Sequence, residues 1–241
     1  MLTEAEEVIH ARAAIAGEAA TAAGLPGTFS AWREDGLLVV IATAPELRFL
    51  RTISGITEDN LARAVRLAGA SCWDGDPPTL VLPPGLPHGT GLVPAGVRPI
   101  AILPLAGLAA EDADVDDAPD IDVFLRILLE GYESGDAVTS FIAAEHADPR
   151  LRRSLLIEDG VPISAAALST HGPGVLLGGS ATPRTHRGKG AQARLLLHGL
   201  TAAAREGRRF AVATTVEGSP SLSNLRRAGA RIQLRQAFRP A

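Results

Sequence analysis

The chain has 241 residues, of which 46% are hydrophobic and 21% charged, so both halves can bury a sizeable core. The formal net charge of −4 provides no overall positive field, which argues against nucleic acid or an anionic membrane surface as a partner. The single cysteine, Cys72, excludes an intramolecular disulfide and is expected to be a buried or inert thiol. An acidic N-terminus and the lack of any long apolar run predict a cytoplasmic protein.

The N-terminal part alternates helical and extended patterns. An alanine-rich stretch over about 4–23 predicts a helix that Gly24 ends. Further along, Thr57 is a candidate cap for a second helix, with apolar residues at helical spacing behind it. Short apolar runs bounded by turn residues or prolines predict strands over 37–42, 79–82 and 100–103.

An acidic segment over 111–122 interrupts these patterns. It contains seven carboxylates, and like charges at that density repel one another and resist packing. We interpret it as a solvated linker between an N-terminal α/β domain over 1–110 and a second domain over 123–241. Carboxylates also bind calcium or magnesium, but the segment lacks the glycine and the terminal glutamate of a calcium loop. We therefore predict no metal site.

The C-terminal part predicts the order helix, helix, three strands, helix, strand, helix, strand. An Asp-Gly pair at 159–160 predicts a hairpin turn between the first two of these strands. The order indicates an α/β (α+β) arrangement with a mostly antiparallel sheet that leads into a crossover. The expected helices cover 123–129, 138–146, 191–205 and 219–228, and the expected strands 151–157, 161–167, 175–182, 210–215 and 231–238.

A glycine-containing loop joins the third of these strands to the long helix. Residues 187–190 read Arg-Gly-Lys-Gly, and the helix begins at once with Ala191. The unpaired N–H groups and the dipole at a helix start attract anions, and glycines let a bulky anion approach the backbone. Arg187 and Lys189 add positive charge, so the loop predicts a pyrophosphate site. An ordinary strand-to-helix turn with solvated basic residues is the alternative interpretation.

Two familiar phosphate loops do not fit this segment. The dinucleotide fingerprint needs a third glycine, near the place where Arg194 stands. A Walker loop needs Ser or Thr after Gly188-Lys189, and Gly190 follows instead.

The loop resembles the coenzyme A loop of GNAT acetyltransferases. Arg187 and Gly190 stand at positions of the family pattern, and Gln192 departs from it where a small residue is usual. The segment 218–229, Gly-Ser-Pro-Ser-Leu-Ser-Asn-Leu-Arg-Arg-Ala-Gly, resembles the late helix of the same family. The residues alone also fit a simpler role, in which Ser219 caps a helix and a glycine ends it. Both segments occur in family order, with one helix and one strand between them.

The resemblance covers about 121–238 and implies a GNAT-like mixed, largely antiparallel sheet flanked by helices, preceded by a degenerate GNAT-like N-terminal half. It implies that an acetyl group moves from acetyl-coenzyme A to an amine of a small molecule or peptide, in a single site in the C-terminal domain. The alternatives are a non-catalytic acyl-CoA-binding module and a structural or interaction domain. The implied cofactor contacts are Ser180, Ala181, Thr182, Arg187, Gly188, Lys189, Gly190, Ala191, Gln192, Ser219, Ser221 and Asn224.

The resemblance leaves the catalytic groups unassigned. Many family members use a tyrosine on the late helix as the acid for the leaving thiolate, and Leu225 occupies that position here. Tyr132, the single tyrosine, is the remaining candidate, with a packed aromatic at a helix end as the alternative. The acceptor, the acyl chain length and a homodimer are left open. Candidate bases, all expected on the surface, are Glu145 and His146 on a helix and His171 in a loop.

Overall fold

The protein is described by a computed structural model over residues 1–87, 91–108, 114–117, 119–132 and 134–241. The helices in these ranges are α1 (Leu2–Ala22), α2 (Leu61–Ala68), α3 (Ile121–Tyr132), α4 (Asp136–Ala147), α5 (Ala191–Arg205) and α6 (Pro220–Arg227). The strands are β1 (Phe29–Glu34), β2 (Leu37–Ala42), β3 (Thr52–Ser54), β4 (Thr79–Leu82), β5 (Leu92–Pro104), β6 (Val115–Asp116), β7 (Arg152–Glu158), β8 (Val161–His171), β9 (Gly174–Ala181), β10 (Phe210–Thr214) and β11 (Arg231–Pro240). None of the helices described here combines the length and the apolar character needed to cross a bilayer.

The predicted fold class and the predicted order of the C-terminal elements are confirmed. One mixed sheet has the strand order β1-β2-β3-β4-β11-β5-β10-β9-β8-β7-β6, and only the β3–β4 and β9–β10 pairings among those described are parallel. The hairpin turn at 159–160 is also confirmed: Asp159 and Gly160 both have positive φ, as a two-residue hairpin turn requires.

The two halves of the chain contribute to the same sheet. β5, from the first half, lies between β10 and β11, and β11 in turn pairs with β4. α1 also contacts strands of both halves: β1 and β2 from the first, and β8, β9 and β10 from the second. The division into 1–110, 111–122 and 123–241 stays a prediction.

The acidic segment is only partly within the described residues, since 109–113 and 118 lie outside them. β6 lies in this segment and pairs with β7 at the edge of the sheet. Asp120 accepts hydrogen bonds from the N–H groups of Asp122 and Val123, so it caps the first turn of α3. The described carboxylates of this segment thus take part in an edge strand and a helix start.

Helices cover the two faces of the sheet around the predicted site. Leu155 of β7 packs with Phe124 of α3, whereas the next residue, Leu156, packs with Leu195 of α5. Successive side chains of a strand point to opposite faces, so α3 and α5 lie on opposite sides. α4 contacts both α1 and α3, so these three helices lie on the same side of the sheet.

The structure corrects three local predictions, in part or in whole. Cys72 is exposed, because the neighbouring Trp73 takes the buried place with 1% of its surface exposed. α2 begins after Asn60, whose side chain accepts the N–H of Thr57, so Thr57 does not cap that helix. The strand expected over 100–103 extends back to Leu92 through two prolines. β10 pairs with β5 only over 100–104, and a proline is tolerated where a strand has a neighbour on one side alone.

The packing of α3 against the end of β9 requires a glycine at Gly131. A Cβ at this position would lie 2.6 Å from the Cβ of Ala181 and 3.1 Å from the backbone nitrogen of Thr182. We expect Gly131→Ala to lower the free energy of unfolding by about 1–3 kcal/mol, measured by urea denaturation. Gly69→Ala is the matched control, since its φ is −89° and its nearest neighbour would be 3.6 Å away. Equal stability of the two variants would contradict this account of the packing.

Candidate active site

A gap between β9 and β10 opens the middle of the sheet. The two strands run parallel, and residues 210–212 pair with residues 174–176. β9 then continues to Ala181 and β10 to Thr214, and no further pairing joins these two described strands. Backbone N–H and C=O groups that face the gap therefore lack ladder partners and are open to a ligand.

A cavity of about 590 Å³ passes through this gap. On the α5 and α6 side, its walls include Gln192, Ser219, Ser221 and Asn224. On the α1 and α4 side, they include Arg12, Tyr132, Phe141, Glu145 and His146, and the unpaired part of β9, Leu177 to Ser180, lies between. A second hollow of about 630 Å³, near the C-terminal end of α5, is lined by none of the predicted site residues.

The glycine loop precedes α5, whose second residue, Gln192, lines the cavity, whereas residues 187–191 do not line it. Gly188 and Gly190 have φ values of +83° and +77°, a conformation that L side chains rarely adopt, and a Cβ at either position would meet nothing within 4 Å. Arg194 donates its N–H to the carbonyl of Gly190, so the N–H groups before it have no partner from the helix. The α5 N-terminus and the exposed loop therefore offer backbone donors and open space to an anion.

The two basic side chains of the loop are engaged with the protein. Arg187 donates from Nε to the carbonyl of Thr182 at 2.9 Å and from Nη2 to the carbonyl of Gly131 at 3.1 Å. Lys189 forms an ion pair with Glu158 at 3.2 Å. Arg187 thus ties the loop to the end of β9 and to α3.

The late helix α6 faces α5 across the cavity. Ser219 caps it as predicted, accepting the N–H of Leu222 at 3.2 Å. The amide of Asn224 donates to Oε1 of Gln192 at 2.6 Å and accepts from Arg227 at 2.7 Å. Gln192, the residue that departs from the family pattern, therefore links α5 to α6. Its assignment and that of Asn224 as cofactor contacts stay predictions.

Comparison with known proteins identifies the architecture. No protein-family model and no curated protein matches the chain. Among solved structures, a GCN5-related N-acetyltransferase from Kribbella flavida is 16% identical, with 93% of this chain and 96% of that one covered and a TM-score of 0.62. A tandem GNAT protein from the clavulanic acid biosynthesis pathway is 17% identical over 98% and 94% of the two chains, with a TM-score of 0.56. The chain has a two-part GNAT fold.

At such low identity the likeness defines the fold alone. A conserved protein from Staphylococcus epidermidis described as functionally unknown is also similar, at 10% identity, 89% and 93% coverage and a TM-score of 0.61. The chemistry of this chain therefore has to be argued from its own residues within the GNAT fold.

The prediction that Glu145 and His146 lie on the surface is wrong, because both residues belong to the cavity wall formed by α1 and α4. His146 is 3% exposed, because α4 packs against α1 and β9. Its Nδ1 donates to the carbonyl of Ile142 at 2.8 Å, which leaves Nε2 as the acceptor, 3.4 Å from Arg12 Nη2. A Cβ at Gly179 would lie 1.9 Å from that Nε2, so glycine at this point of β9 makes room for the imidazole.

Burial sets the protonation of the ionisable groups here. It lowers the pKa of His146 below its usual value, and the opposing effect of Glu145 is smaller, so the imidazole is neutral near pH 7. Tyr132 lines the cavity and keeps 38% of its surface exposed. Desolvation, followed by the charge of Glu145, raises its pKa to about 12, and the phenol keeps its proton at neutral pH.

Two further residues, neither of them a predicted cofactor contact, differ from expectation. His171, expected in a loop, is the last residue of β8, where Nε2 lies 2.8 Å from the hydroxyl of Ser169. Arg12, from α1, was not predicted and lies in the cavity wall with 3% of its surface exposed. No motif surrounds it, and a single arginine in an alanine-rich helix gives no signal of the α4 side chains that it meets.

The buried His146 predicts a pH dependence of stability. Because its pKa in the folded protein lies below the unfolded value of 6.5, the unfolded state binds a proton more readily at acidic pH. We expect the free energy of unfolding to decrease as the pH falls below about 6.5, and His146→Gln to make that decrease shallower, as measured by urea denaturation between about pH 5 and 7. The histidines His10 and His171 are unchanged in both proteins. Parallel curves for the two proteins would contradict the assignment to His146.

Proposed function

We propose that this protein transfers an acetyl group from acetyl-coenzyme A to an amine of a small molecule. One observation carries the proposal: the unpaired stretch of β9 and β10 creates a single passage through the sheet. The first turn of α5, through Gln192, lines one side of that passage, and ionisable side chains line the other. An acyl donor and an acceptor can therefore approach each other from opposite faces.

The residues present fit coenzyme A. The N-terminus of α5 offers unpaired N–H groups for a pyrophosphate, with no side chain at Gly188 or Gly190 to block the approach. The unpaired edge of β9, including Ser180, offers backbone groups that match the amides of a pantetheine arm. Ser221 of α6 lines the opposite wall. When bound, acetyl-coenzyme A supplies a thioester whose carbonyl carbon an amine can attack.

The chain also offers groups that can move protons. Tyr132 holds its proton at neutral pH, so it can donate a proton to a departing sulfur and cannot act as a base. Neutral His146 and the Glu145 side chain are acceptors on the same wall. These three side chains converge on the α4 side of the gap, where an acceptor amine would enter.

A second candidate function is a module that binds acyl-coenzyme A without chemistry. Leu225, at the position of the usual tyrosine, is 4% exposed and packs with Ala101 and Ala213, so no hydroxyl is supplied from there. Calorimetric titration with acetyl-coenzyme A, followed by a thiol-release assay with a panel of amines, separates the candidates. Binding with turnover supports the transferase, binding without turnover supports the module, and no binding contradicts both.

A charge at the glycine loop tests the cofactor site. We expect Gly190→Asp to weaken acetyl-coenzyme A binding at least about tenfold, measured by calorimetry, because a carboxylate there repels the pyrophosphate. Gly190→Asn is the matched control: it has nearly the same shape, tolerates the positive φ of this position and carries no charge. Equal affinity of the Asp and Asn variants would contradict the loop assignment.

Removing one hydroxyl tests Tyr132. If this phenol donates the proton, Tyr132→Phe should lower kcat about 100-fold and leave KM for acetyl-coenzyme A and the melting temperature close to their original values. Steady-state kinetics with a saturating amine gives both constants. An unchanged kcat would assign Tyr132 to packing alone.

A further inference from the structure

A buried ion pair on the cavity wall is incompletely satisfied. Arg12 Nε donates to Oε1 of Glu145 at 2.7 Å, and Arg12 Nη2 lies 3.4 Å from His146 Nε2. Nη1 of the same guanidinium is buried and has no hydrogen-bond partner in the described chain. An unpaired N–H on a buried cation is costly, so such groups normally have a partner.

Another buried arginine shows what a purely structural site looks like in this protein. Arg51 is 4% exposed, and its three nitrogens donate to the carbonyls of Ala42, Thr43 and Asp76, with the Asp76 carboxylate 2.8 Å away. Arg51 is thus satisfied by the chain itself. Arg12 is buried to the same degree, but it lies on the wall of the cavity with one nitrogen unpaired.

Glu145 also has a carboxylate oxygen, Oε2, that is available as a hydrogen-bond acceptor. Its Oε1 is taken by Arg12, whereas its Oε2 lies 3.6 Å from His146 Nδ1, which already donates to the carbonyl of Ile142. Oε2 can therefore accept from a ligand. The ion pair holds Arg12 and Glu145 in contact, so the unpaired donor and the available acceptor belong to two adjacent side chains.

The surroundings of the pair are apolar and close to the gap. A Cβ at Gly178 of β9 would lie 3.9 Å from Arg12 Nη2, so the guanidinium lies beside the unpaired strand. The same wall of the cavity contains Leu50, Val138, Phe141 and Ile142. A ligand held by the ion pair would thus place its apolar part among these side chains.

We propose that the acceptor is an apolar α-amino acid, with its carboxylate bound by Nη1 of Arg12 and its amino group by Oε2 of Glu145. An α-amino acid carries both groups on one carbon, which suits a donor and an acceptor on one ion pair. The amine of a peptide has no carboxylate on the same carbon and lacks this match. This inference rests on the proposed acetyl transfer and names the substrate class for it.

Substrate comparison on the unmodified protein tests the inference first. Phenylalanine, phenylalaninamide and phenethylamine share an aromatic side chain and an amine, and only the first carries a carboxylate. We expect kcat/KM for phenylalanine to exceed that for the other two by about 10- to 100-fold in a thiol-release assay, the effect of one or two charge-assisted hydrogen bonds. Comparable values for all three amines would overturn the amino-acid assignment and leave acetyl transfer intact.

Variants of Arg12 and Glu145 then test whether these two residues cause the preference for phenylalanine. The double variant Arg12→Gln/Glu145→Gln removes both charges together and leaves neither one buried alone, which keeps the protein foldable. In calorimetric titrations it should bind phenylalanine no more tightly than phenylalaninamide and still bind acetyl-coenzyme A, a comparison that does not depend on turnover. Arg150→Gln is the control, because Arg150 is exposed and paired with Asp148 and Glu18 away from the cavity. A preference for phenylalanine retained in the double variant would overturn the role of this pair. If the unmodified protein does not bind acetyl-coenzyme A, the proposed function itself is overturned.

Discussion

The site depends on the place where β9 and β10 stop pairing. Two parallel strands that share three residue pairs and then separate leave backbone donors and acceptors without partners inside a sheet, a costly arrangement unless a ligand or water satisfies them. Side chains pack beside the separated strands on both faces. Leu225 packs on Ala213 from one side, and His146 occupies the space beside Gly179 on the other. The gap is therefore a property of the packed fold.

The N-terminal half is part of this site. β5 fills the position between β10 and β11, and α1 lies across the face on which an acceptor would enter. Through α1 the N-terminal half supplies Arg12, which meets Glu145 of α4 at 2.7 Å. A two-part GNAT fold thus places a cation from one half against the unpaired strand of the other, and this is a structural reason for the two parts to occur in one chain.

Charge is distributed differently on the two sides of the gap. On the α5 side, Arg187 and Lys189 are bound to protein groups, so partial charges of backbone N–H groups face outward. On the α4 side, a full ion pair lies in a mostly apolar wall, where its unpaired atoms interact more strongly with a ligand than they would in water. The first arrangement suits a large, flexible polyanion, and the second suits a small ligand that carries both charges.

Local sequence was sufficient for most of the helices and strands and for the glycine turn before α5, because helix periodicity, hairpin turns and glycines at a helix start act over a few residues. The bounds of α5, the hairpin at 159–160 and the Ser219 cap were all predicted in this way. Tertiary structure alone decided that Arg12 meets Glu145, that His146 is buried, and that Asn224 reaches Gln192. These contacts join residues that are 32 to 133 positions apart or depend on burial beneath α1. Their partners become apparent only when the sheet brings the two halves together.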